Sequence, residues 1–396
     1  MPQPSRQLPV RPELAELERQ AEELLLRSGK KELADAQFAL AQSYGVTSWA
    51  RLTLACHLTH AIWEDDAATV RRLVTEQPAL LGEDARGVHG NWGPPMSYAA
   101  NLGRTAIVEL LFGLGAKDLN HAFARACLQG QLVTARKLFE YGARPRPGAV
   151  MGPAETLNAA GLELLLELGA PLSDEFGNVL APVALLLQTY ARNPEGKRAC
   201  LALCTNAGVE FPDTPPLALH RGRIDLLAAQ LRRERGMLTQ TFSHQEIYPP
   251  ALGCDHDESL ALHGTPIAGG TLLHLAVDTD EMEILRWLLR EGAPADGKAT
   301  TDAEGFGGHT ALFGCVVSQP FRTGRQRDAD CARLLLAHGA NPNARASLRK
   351  RLRFVEDEST HEFRDVTPLA WGERFHDQAW VNRGAMRVIA EHGGTL

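Results

Sequence analysis

At 396 residues the chain is too long for one ordinary hydrophobic core, and it implies about two to four domains unless it is a repeat array. A hydrophobic fraction of 44% and a charged fraction of 22% exclude wholesale disorder. The net charge of −7 argues against a general nucleic-acid binder and against a polybasic membrane-surface protein.

The opening Met1-Pro2-Gln3-Pro4-Ser5-Arg6 has no apolar run behind it and does not read as a secretory signal. Residues 1–11 read as a disordered terminus. Residues 12–55 read as a helical cap. Leu14, Leu17, Ala21, Leu24 and Leu25 fall at helical spacing over Glu13–Arg27, and Gly29 is expected to stop that helix. Asp35–Tyr44 is a second amphipathic segment ahead of Gly45, and Thr47-Ser48-Trp49 starts a third. No stretch approaches the ~18 apolar residues of a membrane span. Seven scattered cysteines do not make a secreted disulfide framework, so a reducing cytoplasm is expected. Cys200 and Cys204, four apart in an apolar helix, read as core thiols.

From about residue 57 a unit recurs: a small-residue helix, a short turn, a Leu-rich helix, then Gly-Ala. Its endings are Leu110-Leu111-Phe112-Gly113-Leu114-Gly115-Ala116, Leu138-Phe139-Glu140-Tyr141-Gly142-Ala143 and Leu164-Leu165-Leu166-Glu167-Leu168-Gly169-Ala170. Trp287-Leu288-Leu289-Arg290-Glu291-Gly292-Ala293 and Leu334-Leu335-Leu336-Ala337-His338-Gly339-Ala340-Asn341-Pro342-Asn343 continue the series. A leucine stripe of this kind cannot be buried by one helix pair, so neighbours must stack. Nine units are counted, near 57–81, 94–116, 121–143, 154–170, 181–209, 215–236, 270–293, 309–340 and 366–394.

Helix starts within the units share a hexapeptide: Thr271-Leu272-Leu273-His274-Leu275-Ala276, Thr367-Pro368-Leu369-Ala370-Trp371-Gly372, Thr310-Ala311-Leu312-Phe313 and the weaker Pro95-Met96-Ser97-Tyr98-Ala99-Ala100. On these residues the chain resembles an ankyrin repeat protein. Ala36-Gln37, Tyr44-Gly45 and Ser48-Trp49 resemble the helical leader of bacterial ankyrin proteins. The resemblance covers about residues 57–396 and implies an all-α repeat solenoid: stacked helix-turn-helix units with short or extended β-turn fingers, here an array over 56–396. It assigns His274 a structural role, bonding locally with Thr271 to set the turn. It also implies a binding module for another protein, not an enzyme.

The repeat glycines act as a ruler. Gly115 to Gly142 and Gly142 to Gly169 are each 27 residues apart, against about 33 in a regular repeat. Gly236 to Gly292, Gly292 to Gly339 and Gly339 to Gly393 are 56, 47 and 54 apart. Surplus in an array maps to loops, often on the binding face. The insertions are 232–270, 295–309, 317–328 and 345–365.

The first insertion holds Cys254, Asp255, His256, Asp257, Glu258 and His263, which are metal-ligating residue types at a spacing that fits no standard zinc pattern. The bland account is an acidic turn held by local Asx bonds. The second holds Gly305-Phe306-Gly307-Gly308-His309, a Gly-rich turn that reads as a finger tip better than as a phosphate loop. From Val317 to Arg353, nine bases (Arg322, Arg325, Arg327, Arg333, Arg345, Arg349, Lys350, Arg351, Arg353) face two acids (Asp328, Asp330), a local +7. Glu356, Asp357, Glu358, Glu362 and Asp365 follow. These runs are either a docking patch for an acidic partner or a hairpin that neutralises itself strand to strand; the hairpin is preferred.

No Gly-x-Ser-x-Gly elbow, Walker loop or His-Glu-x-x-His occurs, so catalytic residues and cofactors are not expected. The expected function is a protein interaction module whose contacts lie on finger tips and first-helix faces: Trp92, Tyr98, His244, Tyr248, Phe306, His309, Phe313, Arg349, Arg351 and Trp371. The partner is an unidentified protein, with no nucleic acid and no membrane, and the chain is expected to be a monomer. The alternative is a metal-dependent or small-molecule site, such as a hydrolase, within 232–270.

Overall fold

A computed structural model describes residues 6–28, 32–86, 92–258, 262–322 and 325–396. Gly29, the expected stop of the first helix, and residues 1–5 lie outside the described residues. The chain divides into two compact units, Met1–Pro153 with Ala160–Pro171, and Ala154–Ala159 with Leu172–Leu396. Each is a stack of short helix pairs. Among the described residues, no helix is long and apolar enough to cross a membrane.

In the first unit, helices Leu14–Ser28, Leu33–Ser43 and Trp49–Trp63 enclose a core of Leu17, Ala21, Leu40, Ala41, Tyr44, Leu52 and Cys56. Ser48 caps the third helix by accepting the Arg51 N–H at 3.2 Å. Leu8 is buried in the same core. Its N–H donates to Arg86 O at 2.8 Å, and Arg86 Nε returns a bond to Leu8 O at 2.7 Å. These bonds tie the segment before the first helix to residue 86 of the same unit.

The repeat pairs follow. Trp49–Trp63 pairs with Ala67–Glu76, Pro95–Asn101 with Thr105–Gly113, and Leu119–Leu128 with Leu132–Glu140. Met151–Glu155 and Ala159–Glu167 follow, and the residues of each divide between the units. The helices Thr105–Gly113, Leu132–Glu140 and Ala159–Glu167 each lead into a glycine with positive φ, Gly115 (98°), Gly142 (103°) and Gly169 (82°). Only glycine takes that turn without strain, and it lets the N–H groups of Gly115 and Ala116 close back on Phe112 O and Leu111 O at 3.0 Å each. Packing is tight between these short repeats: a Cβ at Gly161 would stand 1.9 Å from Cys127 O.

The second unit pairs Ala181–Gln188 with Pro194–Asn206, Pro215–His220 with Ile224–Arg233, and Leu272–Asp278 with Met282–Arg290. Ala311–Val316 then pairs with Asp330–Ala337, and Pro368–Arg374 with Arg383–Glu391. Strands β1 (Ala346–Arg351) and β2 (Thr360–Val366) form an antiparallel hairpin with Arg351 opposite Thr360 and Arg349 opposite Glu362.

His274 shows how one repeat holds the next. Its Nδ1 accepts the Thr271 N–H at 3.0 Å, which fixes the tautomer so that Nε2–H donates to His309 O at 3.0 Å. His309 Nε2 in turn donates to Pro266 O at 2.8 Å. Burial, and then His309, lower the His274 imidazole from 6.5 to about 3; burial lowers His309 to about 4. Both rings are neutral in the fold.

Replacing His274 by Ala strands the Thr271 N–H and His309 O, and should cost about 1–3 kcal/mol in urea unfolding of the second unit. The sign of the pH effect also follows. The folded state binds these two protons more weakly than the unfolded chain, so their contribution is complete above about pH 6.5 and is lost as pH falls toward 4. Thermal melts of wild type should drop over that window, and melts of His274→Ala should drop less.

Candidate functional site

A cleft of about 810 Å³ lies in the second unit. Three separate stretches wall it: Thr241–Glu246 with Glu258, His263 and Pro266–Gly269; Thr300–Asp302 with Phe306, Gly307 and His309; and Leu348–Arg351 with Thr360. These belong to the insertions at 232–270, 295–309 and 345–365. The fourth, 317–328, lies elsewhere: Arg322 and Arg325 converge on the buried Asp280.

Single backbone bridges stitch the walls together. Phe242 N–H donates to Gly270 O at 2.9 Å, and Phe242 O accepts the Gly269 N–H at 2.7 Å. Thr300 N–H reaches Gly269 O at 2.8 Å, and Gly307 N–H reaches Ser347 O at 2.7 Å. Gly307 has φ 115°, and a Cβ there would stand 1.9 Å from Thr300 O, so this turn of the 295–309 insertion requires glycine. On the opposite wall Ser243 and Glu246 form a capping box that starts the short helix His244–Ile247, and His244 Nε2 donates to Asp255 O at 2.9 Å.

The basic run is paired off locally. Arg349 bonds Asp302 at 2.7 Å and Glu304 at 2.6 Å. Arg345 bonds Asp365 at 2.8 Å, Arg333 bonds Asp330 at 2.7 Å, and Arg351 Nε donates to Glu358 O at 2.8 Å. Arg327 donates to Ala379 O and Trp380 O. Phe306 is covered by two guanidiniums, Arg349 at 4.8 Å and Arg364 at 3.9 Å from its ring centre. Arg345 and Arg351 thus pair within the hairpin, whereas Arg349, Arg333 and Arg327 are held by groups outside it.

Beneath the cleft lies a closed polar network. His263 Nδ1 donates to Asp278 at 2.8 Å, and its Nε2 faces the Tyr248 hydroxyl at 3.3 Å. Arg192 bonds Asp278 Oδ2 at 3.1 Å and Asp278 O at 2.7 Å. Lys197 donates to Leu187 O at 3.1 Å and to His220 Nδ1 at 2.9 Å, while His220 Nε2 donates to Ile247 O at 3.2 Å. Burial opposes the Asp278 charge, but Arg192 and His263 outweigh it and lower the carboxyl. Burial, then Arg192, lowers the Lys197 ammonium to about 7. Burial, then Asp278, raises the Tyr248 phenol well above 10.0. The Tyr-His-Asp order has the connectivity of a proton relay. Its phenol, however, is fully buried and held protonated, and the adjoining cavity of about 10 Å³ has room for about one water. The network supports the wall of the cleft; it does not present a nucleophile.

The expected contact residues separate accordingly. His244, Phe306, His309, Arg349 and Arg351 line the cleft. Tyr248, Phe313 and Trp371 are buried packing groups: Tyr248 faces His263, and Trp371 Nε1 donates to Thr265 Oγ1 at 3.0 Å. Trp92 and Tyr98 belong to the first unit. Tyr98 is buried with its hydroxyl on Val10 O, and Trp92 lies half-buried beside Arg86. These aromatics pack against residues distant in sequence, Val10 for Tyr98 and Thr265 for Trp371, so they read as surface anchors but lie in the core. The metal-type residues are also dispersed. Cys254 is buried, its thiol pushed up to about 12. The Asp255 carboxylate accepts the Asp257 N–H at 2.9 Å, the Asx turn of the alternative account. The His256 side chain is 80% exposed, and His263 is committed to Asp278. Among the described residues, no three such side chains gather. Lys350, Thr301 and Thr360 line the cleft without having been singled out. Lys350 had a signal: Ala346, Leu348 and Lys350 alternate onto one strand face.

Residues 268–301 and 307–347 match the family model of the ankyrin repeat. Similar solved structures include the ankyrin repeat domain of human ASB11, at 16% identity over 76% of this chain and 99% of that one, with a TM-score of 0.27. An ankyrin repeat domain from Acinetobacter baumannii is 20% identical over 44% of this chain and 97% of that one, with a TM-score of 0.29. No curated protein sequence matches.

Asp278→Ala would leave Arg192 buried without its countercharge, and should lower the stability of the second unit by about 3–5 kcal/mol in chemical denaturation. Asp278→Asn, which keeps the shape, should lose less.

Proposed function

We propose that this ankyrin repeat protein is a protein–protein interaction module, and that a segment of its partner seats in the cleft of the second unit. Ankyrin repeats are generally interaction modules and typically not enzymes. One observation carries the placement: three insertions, separated by whole repeats in the sequence, converge on the same cleft. Stacking needs none of this surplus, and a cavity of about 810 Å³ is within the range that encloses a ligand or a few residues of a peptide. The lining is mixed, with Phe242, Ile267, Phe306 and Leu348 supplying apolar surface among threonines and charged groups. That composition suits a peptide with both apolar and polar side chains. The seven scattered cysteines favour a reducing, cytoplasmic setting.

The test is a pull-down from native lysate with cleft-filling variants. Thr301→Trp and Thr360→Trp alter exposed lining positions, so they should abolish recovery of the partner and leave the melting temperature unchanged. Undiminished recovery with both variants would place the partner elsewhere.

A further inference from the structure

An open groove of about 590 Å³ lies on the second helices of three successive repeats of the second unit, and it shares no lining residue with the cleft. Ile224 comes from Ile224–Arg233, Glu283, Arg286 and Arg290 from Met282–Arg290, and Leu334 from Asp330–Ala337, with His338 just after it. The middle helix buries Ile284, Leu285, Trp287, Leu288 and Leu289, so its exposed residues 283, 286 and 290 share one face. Two arginines therefore stand one turn apart on that face. Like charges at this spacing repel, and an acid on a neighbouring helix would relieve them. Each of the three helices carries one acid, and each acid is bonded elsewhere: Glu283 to Arg198 at 3.2 Å, Asp225 to Arg223 at 2.5 Å and Asp330 to Arg333 at 2.7 Å. Among the described residues, neither Arg286 nor Arg290 has a hydrogen bond, ion pair or ring contact within the chain. The walls beside them are apolar: Ile224 and Leu334, both half-buried, come from the repeats before and after. Side chains one helical turn apart stand about 5–6 Å from each other at Cβ, so two carboxylates at the same spacing on a second helix meet both guanidiniums, each pair bidentate. A small inorganic anion would neutralise the arginines and leave the apolar walls wet.

We infer that this groove docks an acidic amphipathic helix of a partner protein, whose carboxylates, one turn apart, pair with Arg286 and Arg290 and whose apolar residues pack on Ile224 and Leu334. The surface is separate from the cleft and does not rest on the reading of the cleft as a partner site.

The experiment selects from a display library of helical scaffolds, each with one exposed face randomised, against the full chain. Binding of the enriched helices is then measured to wild type and to three variants: Arg286→Glu with Arg290→Glu, Arg286→Gln with Arg290→Gln, and Thr301→Trp. Both arginines are exposed, so the double variants should melt at the wild-type temperature. Enriched helices should carry Asp or Glu at positions four apart, next to apolar residues. Each should bind both arginine double variants at least about tenfold more weakly than wild type. Exchanging the two acids of the helix for Arg should restore binding to the Glu variant, which a merely misfolded surface would not allow. Affinity should fall as salt rises from about 0.05 to 0.5 M, because exposed charge pairs are screened. Thr301→Trp, in the cleft, should leave it unchanged. Enriched helices without the paired acids, acidic helices that bind the arginine variants as well as wild type, or no enrichment at all overturn the inference. So do helices blocked by Thr301→Trp, which belong to the cleft, and displacement of the helices by inorganic phosphate at matched ionic strength, which makes the arginines a small-anion site.

Discussion

A pair of short helices carrying leucine on one side cannot hide that side alone, and everything else in this protein follows from having to stack the pairs. The second helices bury Ile107, Val108 and Leu111, or Ile284, Leu285 and Leu288, against their neighbours. Stacking fixes where each chain reversal must occur, and the glycines with positive φ mark those reversals. It also places successive first helices side by side, so that a histidine in one repeat can bond the backbone of the next, as His274 bonds His309. The lateral bond between repeats is thus made partly of leucine contacts and partly of imidazole hydrogen bonds. The imidazole contribution makes the array sensitive to acid.

The fingers obey a different constraint. They lie outside the helical packing, so their order rests on isolated backbone bridges and on charge pairs between adjacent turns. A run of nine bases is compatible with a compact hairpin because the acids that follow it, and those of the preceding finger, stand opposite. Exposed pairs of this kind add little individually. Collectively they hold the basic run against the acids of its own hairpin and of the preceding finger.

Much of the fold was legible because its signals are periodic. Gly-Ala endings and Thr-initiated helices recur, and the glycine ruler located the surplus residues before any contact was known. The hairpin was legible from a basic run followed by an acidic one. The site was legible only by region. Phe313 and Trp371, on first helices, and Tyr248, in the first insertion, looked like anchors because an aromatic residue carries no mark in the sequence that distinguishes a groove contact from a packing contact; burial depends on residues about 15 to more than 100 positions away, such as Thr265 beneath Trp371. Lys350 went unremarked in the opposite sense. Within a charge run it looks like one more solvated base, and its inward orientation follows only once the strand's register is fixed by Ala346 and Leu348. The cluster from Cys254 to His263 held the right atoms for a metal, but a 3₁₀ turn, an Asx turn and a buried imidazole send them in different directions.

The close approach at Gly161 bears on how such a chain can change over time. With Cys127 O against its α-carbon, that helix crossing cannot absorb a single added methyl without moving backbone. The insertion at 345–365, by contrast, adds a whole hairpin whose ends remain tied to their repeats. Lengthening a surface loop costs only logarithmically in chain entropy, whereas widening a helix contact costs packing at once. Drift in a protein built this way is therefore channelled: the frame conserves its spacing, and novelty accumulates where the fingers meet.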